Sequence, residues 1–123
     1  MDLTLTLSAA AISLLWFFVH FILGGREVAR PLRAGGDLPK LVRALSWLCW
    51  HFTSLLILAL AVIFAASTQT GGDALLWTGT LLAAAMTAIG IYAARLFDQP
   101  FTIMPQGWLF LPIALLGAGA LIY

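Results

Sequence analysis

The chain has 123 residues, of which 63% are hydrophobic and 9% are charged, with a formal net charge of +1. Its mean hydropathy is +1.04, and a soluble domain of this length would need far more polar residues to cover its surface. The single cysteine, Cys49, excludes an internal disulfide and a cysteine-rich metal site. The composition therefore predicts a membrane protein with one domain.

Four apolar segments indicate the fold. Each approaches the roughly 20 residues with which a helix crosses the hydrocarbon core, and lipid offers no water to satisfy an open backbone. We predict an all-α polytopic membrane protein, in which residues 1–123 form one antiparallel bundle of four transmembrane helices. The helices are expected at about residues 3–24, 38–66, 74–96 and 105–122.

The expected helix ends carry local signals. Asp37 followed by Pro39 is typical of a cap with proline in the first turn of the second helix. The stretch 71–73, Gly-Gly-Asp, separates the second helix from the third, and Pro105 marks the turn into the fourth. Pro112 lies inside the fourth helix, where its missing N–H predicts a kink.

The basic residues indicate the orientation. Five of them lie in the connection between the first and second apolar segments, residues 3–23 and 44–66, and the sixth, Arg95, directly follows the third, residues 74–94, at the start of its connection to the fourth. The positive-inside rule then places both connections in the cytoplasm and both termini on the periplasmic side of a bacterial inner membrane. Because topology accounts for all six cations, we expect no nucleic-acid partner. The five residues of the first connection are Arg26, Arg30, Arg33, Lys40 and Arg43.

Two histidines stand in apolar segments, and each follows a tryptophan by four residues. His20 follows Trp16 in the first predicted helix, and His51 follows Trp47 in the second. A polar side chain in a membrane helix normally faces the bundle rather than lipid. One interpretation is structural: the imidazoles hydrogen-bond a neighbouring helix, and the tryptophans are anchors at the membrane interface.

The depth of the two histidines predicts that they can share a site. With Arg26 and Arg43 at the interface, His20 lies about 9 Å deep and His51 about 12 Å deep, at the rise of an α-helix. Their helices are antiparallel neighbours, with axes about 8–10 Å apart. We therefore expect the imidazoles at similar depth within roughly 14 Å of each other, facing the bundle interior.

A cofactor is the second interpretation of the pair. His20 and His51 match axial ligands of heme b, and Arg26, Arg43 or Arg95 could meet its propionates. Alternatively, one histidine could ligate the magnesium of a chlorophyll-type pigment that contacts the neighbouring tryptophan. Proton or substrate handling is a third role. A transition-metal ion is disfavoured, because no carboxylate at this depth and no second thiol would complete its shell.

The predicted connection from Gly25 to Leu41 is the most polar part of the chain. It combines glycines, two prolines and the cluster of arginines. Topology and attraction to anionic headgroups explain such a segment. A functional explanation is that it docks an acidic partner or a lipid phosphate.

Small residues form two adjacent stripes on the third predicted helix. Such stripes let helices approach closely, so we expect this helix to have neighbours on more than one side, including an external partner. One stripe is Gly79, Ala83, Thr87, Gly90 and Ala94, and the other is Thr80, Ala84, Ala88 and Tyr92.

The run from His20 to Gly25, His-Phe-Ile-Leu-Gly-Gly, followed by Arg30-Pro31-Leu32, resembles the opening of two small membrane families. These are the CopD-like copper-resistance domain and the HemJ-type protoporphyrinogen oxidases, which share a helix-1 histidine, a Gly-Gly exit and a proline-containing loop. Here the histidine lies closer to the glycine than the HemJ pattern places it, and no lysine lies within a membrane helix. The whole chain is also similar to short four-helix inner-membrane proteins of alphaproteobacteria, which implies the fold and no activity.

The sequence favours a binding or accessory role over catalysis. We find no serine–histidine–acid pattern, no phosphate loop and no paired carboxylates within a membrane segment. We therefore predict an inner-membrane subunit that packs in a larger assembly, with lipid and other membrane subunits or copies of itself as partners. The alternative is an electron-transfer or heme-handling protein that binds heme b or a pigment through His20 and His51.

Overall fold

The computed structural model describes residues 1–69 and 71–123 and folds them into four antiparallel helices. This confirms the all-α class. In chain order the helices are α1 (Leu3–Ala34), α2 (Lys40–Ser67), α3 (Asp73–Leu96) and α4 (Gln106–Ile122). Each helix packs against two others, so that α1, α2, α3 and α4 follow one another around the bundle and α4 closes on α1.

Three helices have the length and composition of membrane spans. These are α1, α2 and α3, with 32, 28 and 24 residues. The apolar helix α4 has 17 residues, which is the lower limit of the usual range for a crossing. The chain is therefore a helical membrane protein with three long apolar helices and one shorter one in its described part.

The first helix runs well past residue 24. After an α-helical start over Leu3–Phe18, the segment Val19–Ala29 has π-helical hydrogen bonding, and Arg30–Ala34 is α-helical again. Pro31 lies directly after the π segment, in the first turn of Arg30–Ala34, and the helix continues past it although proline donates no backbone hydrogen bond. The helix ends at Gly35 and Gly36, whose φ angles of 127° and 147° suit glycine.

The core lies at the end of the bundle that holds the two termini. Its largest fully buried side chain is Phe64 of α2, whose ring lies against Gly79 of α3 and Gly117 of α4. The N–H of Asp2 donates to the carbonyl of Ala120 at 3.2 Å, which brings the termini together. The buried apolar residues around Phe64 include Ala9, Ile57, Leu60, Leu76, Ala83, Ile113 and Ala120.

Buried hydroxyls in this core are satisfied within their own helices. Ser13, Thr80 and Thr87 each donate to the carbonyl four residues earlier, at distances between 2.7 and 2.9 Å. Such bonds leave no donor unpaired in a dry interior. These polar side chains therefore act in packing.

Helices α3 and α4 approach until their backbones touch. Gly90 faces Gly107 so closely that a Cβ on either residue would collide with the backbone of the other. The first small-residue stripe of α3 thus lies against neighbouring helices, as expected. Of the second stripe, Thr80 is buried, whereas Ala84, Ala88 and Tyr92 are exposed.

The opposite end of the bundle is built mainly from α1 and α2. The indole N–H of Trp16 donates to the carbonyl of Leu109 at 2.9 Å, so the start of α4 is level with Trp16. Helix α1 continues from there to Ala34, and the first half of α2 accompanies it. We call this the basic end, because the end of α1 and the start of α2 carry five cations here, namely Arg26, Arg30, Arg33, Lys40 and Arg43.

Candidate functional site

A cleft of about 630 Å³ opens between α1 and α2 at the basic end. Its α2 wall consists of Trp47, Trp50 and His51, and its α1 wall of residues from Phe21 to Ala34. Aromatic rings therefore face a helix that changes along its length from apolar to cationic. We call this the first cleft.

The π segment explains how so many α1 residues share one wall. They form two rows in which members are four residues apart. In an α-helix such a row drifts sideways by about 40° per step, and the wider turn of the π segment Val19–Ala29 shifts it in the opposite sense. The rows are Phe21, Gly25, Ala29 and Arg33, and Ile22, Arg26, Arg30 and Ala34.

A second cleft of about 430 Å³ adjoins the first and shares Arg33 and Trp47 with it. Lys40 and Arg43 line it as well. Together the two clefts gather these five cations of α1 and α2, and their described lining residues include no carboxylate. The Nε atom of Arg43 is buried without a hydrogen-bond partner. The two clefts therefore concentrate positive charge, and the carboxylate that shares a cleft with one of these cations is Glu27, which lines a third cleft together with Arg43.

His20 lies at the helix interface beside the first cleft. Its imidazole stacks on the indole of Trp50, with ring centroids 3.9 Å apart and planes 13° from parallel. Its Nε2 lies 3.5 Å from the Trp50 carbonyl oxygen, the long limit of a hydrogen bond. One turn later, Gly24 leaves space for the same indole, since a Cβ there would lie 2.6 Å from the ring. His20 thus contributes to a joint between α1 and α2.

His51 lies on the wall of the first cleft itself. Its Nδ1 is 2.9 Å from the carbonyl of Trp47, one turn earlier in α2, and the two rings lie 4.0 Å apart. With the proton on Nδ1 and donated to that carbonyl, Nε2 keeps a free lone pair. His51 therefore retains a nitrogen that can bind a ligand.

The structure separates the predicted site residues into four places, one of which is the α1–α2 joint that holds His20. Trp47, His51 and Arg26 line the first cleft and Arg43 lines the second. Trp16 is remote from both, because it binds the carbonyl of Leu109 on α4.

Sequence reasoning missed Arg30, Arg33 and Trp50 as cleft residues. The spacing of Arg26, Arg30 and Arg33 would have placed them on one face had this segment been predicted as a helix. Trp50 stands inside the same run as Trp47, but its position opposite Gly24 is a property of the packed helices. The arginine spacing could be recognised in the sequence, whereas the position of Trp50 could not.

The described residues include few candidate ligands for a metal ion. Among residues 1–69 and 71–123 there is no cluster of three or more His, Cys, Asp or Glu side chains that could hold one. A heme iron with two axial imidazoles needs nitrogens about 4 Å apart across an open slot. Here the Trp50 ring covers one face of His20. Because an imidazole binds iron through a nitrogen in the plane of its ring, ligation through the Nε2 of His20 would replace its contact with the Trp50 carbonyl.

The fold and the clefts define a small helical membrane protein with a basic, aromatic surface at one end of its bundle. Comparisons of the chain with protein-family models, with curated proteins and with solved structures find no match. The resemblance to the CopD-like and HemJ-type families stays a prediction.

Proposed function

We propose that the chain is a binding or accessory subunit of the bacterial inner membrane that holds an anionic group in the first cleft and packs within a larger membrane assembly. One observation carries this proposal: five cations converge on two adjoining clefts whose described lining has no carboxylate. Membrane topology requires cations on one side of the bilayer. Topology does not require these cations to line adjoining clefts.

The orientation belongs to the same proposal. The basic end faces the cytoplasm, α4 crosses the membrane as a fourth span, and both termini lie in the periplasm. Arg95 supports this, because the antiparallel order of the helices brings the α3–α4 connection to the basic end. The 17 residues of α4 suffice for a crossing where the bilayer is thin or the helix upright.

The assembly is supported by the outer face of α3. Ala84 and Ala88 are exposed one turn apart, and small residues at this spacing let a second helix approach closely in lipid. The partner is another membrane subunit or a second copy of the chain.

Anion binding can be tested on the purified full chain in a neutral detergent. Pyrophosphate is the probe, and tryptophan emission is the signal, since Trp47 and Trp50 line the first cleft. We expect a saturable change that is lost in the Arg26→Gln/Arg30→Gln variant and kept in Arg95→Gln, whose charge lies outside both clefts. An unchanged emission, or equal loss in both variants, would refute the proposal.

A heme b protein is the second candidate. It is favoured by the position of His51 on the same cleft as Arg26, which suits one axial ligand and one propionate partner. An optical spectrum of the purified chain after addition of hemin decides between the candidates. A Soret band that disappears in His51→Ala supports the heme candidate, and a spectrum of free hemin alone counts against it.

A further inference from the structure

We infer that the anionic group is the headgroup of a phospholipid with two phosphodiester groups, one bound in each cleft, with acyl chains along the apolar part of α1. This inference rests on the proposed function, because it identifies the ligand of the same site. It follows from the order of residues along the first cleft, from the second cleft beside it and from the chemistry of arginine.

The first cleft changes from apolar to basic along the axis of α1. Phe21 and Ile22 begin its α1 wall, and Arg26, Arg30 and Arg33 follow along the helix. Phe21 is 51% exposed and Ile22 is 48% exposed, so this end opens toward the surroundings of the bundle. An amphiphile with a hydrocarbon chain beside Phe21 and a phosphate beside the arginines matches this order. A free anion would leave the apolar end uncovered.

The volume also exceeds what a small anion needs. A water molecule accounts for about 30 Å³ of liquid, and the first cleft holds about twenty times as much. Trp47 and Trp50 lie in the opposite wall, and tryptophan rings are favoured at the level of lipid headgroups. The cleft thus has room and walls for a headgroup together with the start of its chains.

Two adjoining clefts indicate two phosphates. The first has Arg26, Arg30 and Arg33, and the second has Lys40 and Arg43 and shares Arg33. Guanidinium groups bind phosphate oxygens through paired hydrogen bonds. A lipid whose two phosphates are joined by a short polar linker reaches both clefts across Arg33, and the buried Nε of Arg43 would gain an acceptor. Basic pockets between membrane helices are known to take such headgroups.

The test titrates the purified full chain in neutral detergent with cardiolipin, phosphatidylglycerol and phosphatidylcholine, using tryptophan emission and native mass spectrometry. The second phosphate adds charge-assisted hydrogen bonds to the cations of the second cleft, so cardiolipin should bind at least about tenfold more tightly than phosphatidylglycerol. Phosphatidylcholine should bind more weakly than both. Equal binding of cardiolipin and phosphatidylglycerol would overturn the inference.

Substitutions in the two clefts distinguish a specific binding site from general electrostatic attraction. Arg26→Gln/Arg30→Gln and Lys40→Gln/Arg43→Gln should each abolish the preference for cardiolipin. Arg95→Gln removes a cation from the basic end without touching either cleft and should retain the preference. Equal losses in all three proteins would overturn the inference. Far-UV circular dichroism verifies that each variant is helical. The conservative Arg30→Lys variant keeps the charge but lacks the paired hydrogen-bond geometry of a guanidinium group. It should lose part of the preference for cardiolipin.

Failure of this inference is distinguishable from failure of the proposed function. If pyrophosphate changes the emission of the wild-type chain but cardiolipin shows no preference over phosphatidylglycerol, anion binding stands and the lipid assignment fails. If neither probe binds, both fail.

Discussion

The imidazole of His20 and the indole of Trp50 are stacked across the α1–α2 interface, with centroids 3.9 Å apart. The contact depends on Gly24, which leaves room for the edge of the same indole. The histidine that stands out in the first apolar segment is therefore engaged by a tryptophan of the run WLCWH. This run supplies the inter-helix joint through Trp50 and part of the cleft wall through Trp47 and His51.

Gly24→Ala is expected to weaken this joint. The new Cβ would lie 2.6 Å from the Trp50 ring, and overpacking of this kind costs about 1–3 kcal/mol. The free energy of unfolding in detergent should fall, and the tryptophan emission should shift because Trp50 is displaced. Gly25→Ala is the matched control, because no atom lies within 4 Å of its Cβ position. Equal effects of the two substitutions would contradict the predicted contact.

Much of the fold was predictable because it depends on lengths and composition. Apolar segments of membrane length determine the all-α class and the candidate spans, and their number fixes an antiparallel order. The extension of α1 to Ala34 was not predictable in the same way. Gly24, Gly25 and Pro31 normally indicate the end of a helix, and only the packed structure shows a π segment that accommodates them.

The sequence predicted how deep the site residues lie along their helices, but not how each helix is rotated about its own axis. Counting residues from Arg26 and Arg43 locates the histidines along their helices, since the rise per residue is fixed. Which side of each helix faces the neighbour depends on the packing of Trp50 against Gly24. That packing separates His20, which stacks at the joint, from His51, which lines the cleft.

Trp16→Phe should loosen the attachment of α4. The substitution keeps an aromatic ring but removes the indole N–H that donates to the Leu109 carbonyl. Loss of one hydrogen bond costs about 0.5–1.5 kcal/mol, measurable as a lower thermal midpoint of the purified chain. Trp77→Phe is the control, because Trp77 is 55% exposed on α3. A larger effect at Trp77 than at Trp16 would argue against this role.

Gly90→Ala should be more damaging than an ordinary glycine-to-alanine change. Its Cβ would lie 2.5 Å from the Cα of Gly107, and a backbone cannot move aside as a side chain can. We expect a loss of about 1–3 kcal/mol or more, with partial release of α4 from α3 detected by protease sensitivity of the 97–105 connection. Gly119→Ala is the control within the same bundle, because its Cβ would meet only the end of the Leu5 side chain, at 3.2 Å. Similar stability of the two variants would show that α3 and α4 are not in backbone contact.

Reporter fusions test the proposed orientation and the fourth span together. A periplasm-dependent phosphatase fused after Arg33 should be inactive, and the same reporter fused after Asp73 or Tyr123 should be active. The reason is that all six cations lie toward the ends of α1, α2 and α3 that adjoin the α1–α2 and α3–α4 connections, and positive charge is retained on the cytoplasmic side. A cytoplasm-dependent fluorescent reporter at the same three positions is the complementary control and should give the opposite pattern. Activity of the phosphatase after Arg33 would reverse the assignment, and activity after Asp73 without activity after Tyr123 would show that α4 does not cross the membrane.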